Sequence, residues 1–455
     1  MVPYQTSTKI KSMSYAQAVE SLHALGHELA HSPRRKFNLE QMRVLAAALG
    51  HPERTFPSVL IAGTNGKGST AAMLASILRA AGYRTGLYTS PHLSRVNERI
   101  QIDGVPIADE DFARLYFRVD GTAAQLVRDG ALPHHPSFFE TVTALAFLYF
   151  AEKKVELAVL EVGIGGRLDA TNIVEPLVSV VTDIALDHQE WLGDTLDAIT
   201  REKAGILRPS GTLVTLPQHP EANQALGEVA TALDVRGVNA VAYMPAAHAT
   251  DDSPWRAAYP VQVLGETVEI APPLAGSHQQ RNTALAIAAA VELCNHHGYK
   301  FSAQQIAEGI RTARWPGRLE LFPATAERAA VLLDVAHNPA GVWSLRSALS
   351  SYPAAGARTL LFGCLRDKAF EEMAQILFPI FDRVVLTPVD SPRTVAVEDL
   401  AVVAHKVGVA ATTARSATAA FEEALRQTPR EGLLVCAGSV YLIGPLRDRL
   451  ATGRI

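Results

Sequence analysis

A glycine-rich segment at residues 57–70 constrains the fold more than any other feature, and its sequence is Pro-Ser-Val-Leu-Ile-Ala-Gly-Thr-Asn-Gly-Lys-Gly-Ser-Thr. The pattern predicts a buried strand over 59–62, a turn over 63–68, and an apolar helix from Ser69 to about Ala81. Backbone N–H groups and the helix dipole then face an anion that Lys67 neutralises. The spacing departs from the usual G-x-x-x-x-G-K-[ST], because Gly68 stands between Lys67 and Ser69. The segment predicts a site for a nucleoside triphosphate, and we call residues 63–68 the phosphate loop.

Length and composition limit the classes of protein that this chain can belong to. Its 455 residues allow two or three domains, and 48% hydrophobic with 19% charged residues indicates folded cores rather than disorder. A net charge of −4 argues against a nucleic-acid partner, which favours strongly basic surfaces. No apolar run approaches the ~18 residues of a membrane span, and residues 1–13 lack a signal-peptide pattern. We therefore expect no membrane partner and a cytoplasmic location.

Polar residues follow several strands predicted between residues 57 and 215, where strands alternate with helices as in a mostly parallel sheet. Ser90 follows the strand at 85–89, Glu161 ends the strand at 157–162, and His188 follows the strand at 177–181. Ligands bind at the carboxyl ends of such strands. A buried acidic residue is costly unless it is paired or binds a cation, so Glu161 is predicted to organise Mg²⁺. Ser90 as a turn hydroxyl and His188 as a structural residue are the alternatives.

The second half of the chain predicts a smaller α/β domain. Strands at 330–335, 359–362, 383–387 and 433–437 alternate with helices, and Pro316-Gly317 within 314–318 is a hinge signal. The resulting fold is α/β, with a P-loop-containing, mostly parallel sheet domain followed by a smaller, Rossmann-like domain. The division is residues 1–312, a linker at 313–318, and residues 319–455, with the active site in the cleft between the domains.

The sequence leaves the roles of three segments open. The basic segment at 31–36 is either a solvated turn or a receptor for an anionic substrate. Asn282, before an alanine-rich helix predicted over 283–294, faces either the core or a ligand. The region 216–270 is predicted to hold only small strands and turns, and it carries no assigned role.

Seven motifs occur in one order along nearly the whole chain: Gly63-Thr-Asn-Gly-Lys-Gly-Ser69, Thr89-Ser-Pro-His-Leu93, Glu161-Val-Gly-Ile-Gly-Gly-Arg-Leu-Asp-Ala-Thr-Asn172, Asp187-His188, Glu202-Lys-Ala-Gly205, Pro316-Gly-Arg318 and Asp334-Val-Ala-His-Asn-Pro339. The series resembles the folylpolyglutamate synthase and dihydrofolate synthase family, within the Mur ligase superfamily of ATP-dependent amide ligases. The resemblance implies the Mur ligase architecture and a monomer.

The resemblance also implies roles for individual residues. Lys67, Lys203 and His188 are the implied catalytic residues, and Lys203 matches a lysine that the family carbamylates. One Mg²⁺ is expected on Ser90 and Glu161, and a second on His188. The residues expected to contact ATP are Thr64, Asn65, Gly66, Lys67, Gly68, Ser69, Asn282, Arg318, Asp334 and His337. Those expected to contact the folate or pterin are Phe139, Leu168, Asp169 and Ala170.

The activity implied by the resemblance is the ATP-dependent addition of L-glutamate to dihydropteroate, to folyl-polyglutamate, or to both. The substrate carboxylate attacks the γ-phosphate of ATP, and the amine of L-glutamate then displaces phosphate from the acyl phosphate. Residues 37–42 depart from the family's early pterin motif. This departure weakens the expectation that dihydropteroate is a substrate. A P-loop kinase or NTPase that forms no amide bond is the alternative from another class, and a muropeptide-type ligase is the alternative within the superfamily.

Overall fold

Two β-sheets organise the part of the chain that can be described. The computed structural model describes residues 14–26, 38–245, 258–352 and 356–453. The expectations for residues 1–13, for the basic segment at 31–36 and for Phe37 lie outside these ranges. Below, the first domain is the part that holds the first sheet, and the second domain is the described part after residue 318.

The first sheet contains eight strands within the described residues: β1 (Ser58–Ala62), β2 (Thr85–Tyr88), β3 (Ile100–Ile102), β4 (Val105–Pro106), β5 (Leu157–Glu161), β6 (Val178–Val181), β7 (Thr212–Thr215) and β8 (Arg236–Asn239). Their spatial order is β4-β3-β2-β5-β1-β6-β7-β8. The pairs among β2, β5, β1, β6, β7 and β8 are parallel, and β3 and β4 are added antiparallel at one edge. The predicted, mostly parallel sheet is confirmed.

Helices cover both faces of the first sheet, so its central strands β1, β5 and β6 are buried along their whole length. Leu60 and Ala62 face one core cluster, whereas Val59 and Ile61 face another. The helices of this domain are α1 (Tyr15–Ala24), α2 (Leu39–Ala48), α3 (Lys67–Ala80), α4 (Asp109–Arg128), α5 (Phe138–Lys153), α6 (Gln189–Leu192), α7 (Leu196–Ala204), α8 (Pro220–Ala232), α9 (Ser277–His296) and α10 (Ala303–Thr312).

Two helices begin earlier than predicted, which changes the place of site residues. Helix α3 begins at Lys67 rather than at Ser69, so Lys67 belongs to its first turn. Helix α9 begins at Ser277 rather than at Thr283, so Asn282 lies in its second turn and not in its cap. The first residues of α9, 277–282, are polar because they face the cavity described below rather than the core. They therefore lack the apolar period from which a helix is predicted.

The region 216–270 is more regular than predicted where the structure describes it. It contains α8, β8 and a hairpin of β9 (Tyr259–Val263) with β10 (Glu266–Ile270). Val261 and Ile270 join the core cluster formed by α3, α9 and α10. The hairpin therefore stabilises the side of the sheet on which the phosphate-loop helix packs.

The second domain is a smaller α/β unit, as predicted. Its described strands are β11 (Glu320–Phe322), β12 (Ala330–Leu333), β13 (Arg358–Phe362), β14 (Arg383–Leu386), β15 (Ala411–Thr413) and β16 (Leu433–Ala437). They lie in the order β11-β12-β16-β13-β14-β15, with only β11 antiparallel to its neighbour. Its helices are α11 (Pro339–Ser350), α12 (Phe370–Leu377), α13 (Val397–Lys406), α14 (Ala417–Gln427) and α15 (Val440–Thr452).

One expectation about membranes can be compared with the helices. Among the described residues, no helix is both long and apolar enough to cross a bilayer.

Candidate active site

A cavity of about 700 Å³ lies between the two domains, at the carboxyl ends of their parallel strands. This is the position in which open α/β sheets bind ligands. All the site residues named from the sequence line it: Thr64, Asn65, Gly66, Lys67, Gly68, Ser69, Ser90, Phe139, Glu161, Leu168, Asp169, Ala170, His188, Lys203, Asn282, Arg318, Asp334 and His337. The fold thus brings together residues separated by up to 273 positions in the chain, as in the hydrogen bond between Asn65 and Asn338.

Two lysine side chains meet at one carbonyl of the phosphate loop. Lys67 Nζ donates to Gly63 O at 3.0 Å and to Thr64 O at 3.1 Å, and Lys203 Nζ donates to Gly63 O at 2.8 Å. Burial lowers the pKa of both amines, and the charge of Lys67 lowers the pKa of Lys203 further, to about 7. The neutral amine of Lys203 is therefore accessible near neutral pH.

The loop after β6 holds the start of the phosphate loop. The backbone N–H groups of Thr64 and Asn65 donate to Asp183 O at 2.8 and 3.1 Å. The Thr64 hydroxyl donates to Ala185 O and accepts from Ala185 N. Thr64 thus uses its backbone and side-chain donors within the protein. The N–H groups of the first turn of α3 have no intrahelical acceptor, and they are the natural donors to an anion.

Two glycines allow close packing around this turn. Gly66 has φ +89°, and a Cβ there would lie 2.1 Å from Asn282 Oδ1. At Gly68 a Cβ would lie 2.7 Å from Cζ2 of Trp315. Asn282, which the sequence placed in either the core or the site, lies against the phosphate loop and lines the cavity.

Glu161 and Ser90 offer oxygen atoms at the ends of β5 and β2. The Ser90 N–H donates to Glu161 Oε2 at 3.0 Å. Burial raises the pKa of Glu161 to about 7 although Lys67 lowers it, so a nearby cation would favour the carboxylate form. Carboxylate and hydroxyl oxygens suit Mg²⁺, which is usually bound by one or two carboxylates together with substrate phosphates. Within the ranges the structure describes, no group of three His, Cys, Asp or Glu residues is close enough to hold a metal ion by itself.

His188 lies in a left-handed turn, with φ 53° and ψ 36°. Burial lowers its pKa to about 3, so its imidazole is neutral at physiological pH, which is the form that binds metal ions. Its Nε2 lies 4.0 Å from Asp187 Oδ1.

The linker contributes Arg318, and the second domain contributes Asp334 and His337. The Asp334 carboxylate accepts from the N–H groups of Leu319 and Ala336, both at 2.8 Å, which fixes the turn after β12. Burial lowers the pKa of His337 to about 4, and its Nδ1 lies 3.0 Å from Val335 O. Burial also lowers the pKa of Arg318, although Asp334 and Glu161 raise it.

Part of the cavity wall is apolar. Phe139 packs against Gly163 and the ring of Tyr88, and the half-buried Leu168 also lines the cavity. The buried Asp169 carboxylate accepts four hydrogen bonds, from Gly163 N, Ile164 N, and the N–H and hydroxyl of Thr171. Asp169 therefore shapes the loop that forms this wall.

Several further polar residues line the cavity and were not singled out from the sequence. They are Gln41, His134, His278, Gln279, Asp367, Lys368, Arg393 and Ser439. Lys368 follows β13, just as Ser90 and His188 follow strands of the first sheet. The same strand-end rule could have identified it, had it been applied to the second domain.

Comparisons with known proteins agree with this geometry. The family model of the Mur ligase middle domain matches residues 61–290, and that of the Mur ligase glutamate ligase domain matches residues 317–440. A dihydrofolate synthase/folylpolyglutamate synthase of Bacillus subtilis is 34% identical over 424 residues, covering 91% of this chain and 95% of the relative. A folylpolyglutamate synthase of Lacticaseibacillus casei is 34% identical over 455 residues, covering 97% and 100%.

Solved structures are similar over the same length. Mycobacterium tuberculosis folylpolyglutamate synthase complexed with ADP superposes with a TM-score of 0.84 at 31% identity, covering 96% of this chain and 98% of that one. Escherichia coli FolC in complex with DHPP and ADP gives a TM-score of 0.81 at 28% identity, covering both chains completely. The similarity therefore includes both domains and the cavity between them.

Proposed function

The chain belongs to the Mur ligase family, in the branch of the dihydrofolate synthases and folylpolyglutamate synthases, and we propose that it joins L-glutamate to the carboxylate of a pteroyl or folyl substrate. It is an ATP-dependent ligase that forms carbon–nitrogen bonds. The observation that carries the proposal is one cavity that is lined both by the phosphate loop with Lys67 and by the apolar side chains of Phe139 and Leu168. A triphosphate and an apolar ring system can thus bind in the same cavity.

The chemistry has two steps and needs no protein nucleophile. The substrate carboxylate attacks the γ-phosphate, and ADP leaves. The amine of L-glutamate then attacks the acyl phosphate, and phosphate leaves from the tetrahedral intermediate. Such transfers depend mainly on positioning and on neutralising charge. Lys67 and the first-turn N–H groups of α3 bind the phosphates, and Arg318 adds a positive charge from the linker. Closure of the domains about the hinge at 314–318 would exclude water, which hydrolyses the acyl phosphate.

Mg²⁺ is part of the proposal. Ser90 and Glu161 would hold one ion and His188 a second, and the ions would neutralise charge on the transferred phosphoryl group. The donor chemistry fits, since Glu161 has a carboxylate whose charged form a cation would favour.

Carbamylation of Lys203 is a further part of the proposal. The neutral amine of Lys203 would add to CO₂ and lose a proton, giving an anionic carbamate beside Lys67. Its lowered pKa of about 7 supports this, because only the neutral amine reacts. A ¹³C carbamate signal in protein equilibrated with ¹³C-bicarbonate, and its loss in Lys203→Met, would test the modification. An identical signal in both proteins would refute it.

The domain boundaries, the oligomeric state, the location and the partners are also part of the proposal. We propose the division into residues 1–312, a linker at 313–318, and residues 319–455. We also propose that the protein acts as a monomer in the cytoplasm, with ATP, L-glutamate and folates as its small-molecule partners and without a nucleic-acid partner.

The testing experiment measures phosphate release and amide product from Mg²⁺-ATP and L-glutamate, with dihydropteroate in one series and tetrahydrofolate in the other. We expect product with tetrahydrofolate, and product with dihydropteroate as well if the altered segment at 37–42 still admits it. Turnover with tetrahydrofolate alone would assign glutamate chain extension only. Phosphate release that needs neither glutamate nor a folate would favour the NTPase alternative, and turnover only with a muropeptide acceptor would favour that ligase class.

A further inference from the structure

The carboxylate of Asp187, in the first domain, is bound by two side chains of the second domain. Asp187 follows β6 in the first domain, and its side chain is only 8% exposed. Its Oδ1 accepts from Lys368 Nζ at 2.8 Å, and its Oδ2 accepts from Asn338 Nδ2 at 2.9 Å; both donors belong to the second domain. We call these three residues the Asp187 junction.

Asn338 links the junction to the phosphate loop. Its Nδ2 also donates to Asn65 Oδ1 at 3.1 Å, and its Oδ1 accepts from Gly341 N as the N-cap of α11. An amide group has two N–H donors and one carbonyl oxygen, so all three bonds can form together. The first turn of α11 is thereby bonded to two loops of the first domain.

Lys368 brings a buried charge to the junction. Its side chain is 8% exposed, and it lies in the loop after β13, where Arg366 N donates to Arg393 O. A buried pair of this kind is weak evidence for stability, because desolvation offsets most of the attraction. Its geometric effect is the more informative property: it fixes the distance between the two domains beside the site.

The junction continues to His188. Asp187 Oδ1 also accepts from the backbone N–H of His188 at 2.9 Å. His188 has a left-handed conformation that is unusual for a residue with a side chain and that the surroundings must hold in place. Lys368 therefore binds the same carboxylate that supports the turn of His188.

We propose that Lys368 and Asn338 are positioning residues of the ligase reaction. Docking of the second domain places their donors on Asp187, and this fixes the turn at His188 and the phosphate-loop residue Asn65 in their working arrangement. The inference rests on the proposed function, and it makes site assembly depend on contact between the domains. The competing interpretation is that Lys368 binds an anionic substrate directly.

The experiment is a double-mutant cycle of Lys368→Met and Asp187→Asn in the full chain. It measures kcat and KM for amide formation, the Kd of ADP by calorimetry, and the thermal midpoint. Lys153→Met with Asp111→Asn is the matched control, since Lys153 and Asp111 form a 2.9 Å pair within the first domain and away from the cavity. Lys368→Met leaves Asp187 without its counter-charge, so we expect its thermal midpoint to fall and to recover in the double variant.

Catalysis should behave differently from stability. We expect kcat to fall about 10- to 100-fold in Lys368→Met, since small misplacements of catalytic groups cost this much. The double variant should have the same low kcat as the worse single variant, because both act through one carboxylate. The Kd of ADP should change less than about threefold, and Lys368→Arg should recover part of kcat. The control cycle should leave kcat unchanged.

Three results would overturn the proposal. Recovery of kcat together with the thermal midpoint would show that the pair is only structural. Losses that multiply in the double variant would show that Lys368 acts independently, as on a substrate. A kcat for Lys368→Met within twofold of the unmodified protein would show that Lys368 has no role. If the unmodified protein itself forms no amide product, the proposed function fails instead, so the two failures are distinguishable.

Discussion

At the scale of single residues, Lys67 and Lys203 share the carbonyl of Gly63 while burial lowers the pKa of each. Two ammonium groups so close together repel each other, and the carboxylates of Glu161, Asp187 and Asp169 raise the pKa of Lys67 again. A triphosphate would add several negative charges at this point. The positive charge of the two lysines therefore favours the binding of an anion at this point.

Replacing Lys67 tests whether its positive charge is needed for catalysis. Lys67→Ala should lower kcat by about 10²- to 10³-fold or more, the cost of removing one group that stabilises charge in a transition state. The measurement is amide formation at saturating ATP, with the exposed Lys300→Ala as the control. A kcat near that of the unmodified protein would contradict the assignment of Lys67.

The lowered pKa of Lys203 predicts a dependence of stability on pH. Between its folded pKa of about 7 and its ordinary value of 10.5, the unfolded chain binds a proton at Lys203 that the folded chain does not. The contribution of Lys203 to the free energy of unfolding should therefore rise with pH across this window. Below about pH 7 both states are protonated, and the burial of the charge is fully destabilising.

The comparison is between the unmodified protein and Lys203→Met, unfolded with urea at pH 7 and pH 9.5 in bicarbonate-free buffer. The difference in unfolding free energy should shift in favour of the unmodified protein at the higher pH. Groups that do not interact with Lys203 titrate alike in both proteins, so their contributions cancel. A difference that does not change with pH would contradict the shifted pKa.

At the scale of elements, helix starts position the cavity walls. Ser137 and Glu140 form a capping box at the start of α5, in which Ser137 Oγ accepts from Glu140 N and Glu140 Oε2 accepts from Ser137 N. Phe139 lies in this first turn and lines the cavity. The cap therefore sets the position of a residue expected to contact the pterin.

Ser137→Ala should reduce the free energy of unfolding by about 1 kcal/mol, the typical cost of losing an N-cap. It should also raise KM for the folate substrate more than KM for ATP, because the phosphate loop is a separate element. Ser302→Ala is the matched control, since Ser302 and Gln305 form the same capping box on α10, away from the cavity. An equal effect of both variants on the folate KM would contradict the prediction.

At the scale of the whole molecule, the linker lies against the phosphate-loop helix. Trp315 packs over Gly68, and Ser94 of the first domain donates to Gly444 O of the second at 3.4 Å. The bond between Ser94 and Gly444 and the Asp187 junction join the two domains. A side chain added at Gly68 should therefore displace Trp315.

Gly68→Ala isolates that contact. Gly68 has ordinary helical backbone geometry, where alanine is favoured by about 1 kcal/mol, but its Cβ would lie 2.7 Å from Trp315 Cζ2. We expect kcat/KM for ATP to fall about tenfold, since the indole must move. Combining it with Trp315→Leu should restore part of the loss. Gly227→Ala in α8 is the control, because its Cβ would meet open space. Equal activity of Gly68→Ala and Gly227→Ala would contradict the prediction.

Local patterns were sufficient for much of the fold and for the location of the site. The strand before the phosphate loop, the parallel sheet and the second α/β domain follow from apolar periodicity and turn residues, which depend on neighbours in sequence. Helix starts at Lys67 and Ser277 were misplaced, because their first turns serve the cavity and lack the apolar period of a core-facing helix.

Short patterns in the amino-acid sequence predict the phosphate loop and the strand-end residues Ser90, Glu161 and His188, and the order of several motifs indicates the family. Three further contacts become visible only in the folded chain: Lys67 and Lys203 share one carbonyl, Trp315 covers Gly68, and Lys368 reaches Asp187 across 181 residues of chain. These contacts depend on how whole elements and domains pack, because no local period or turn signal encodes the distance between side chains on different sheets.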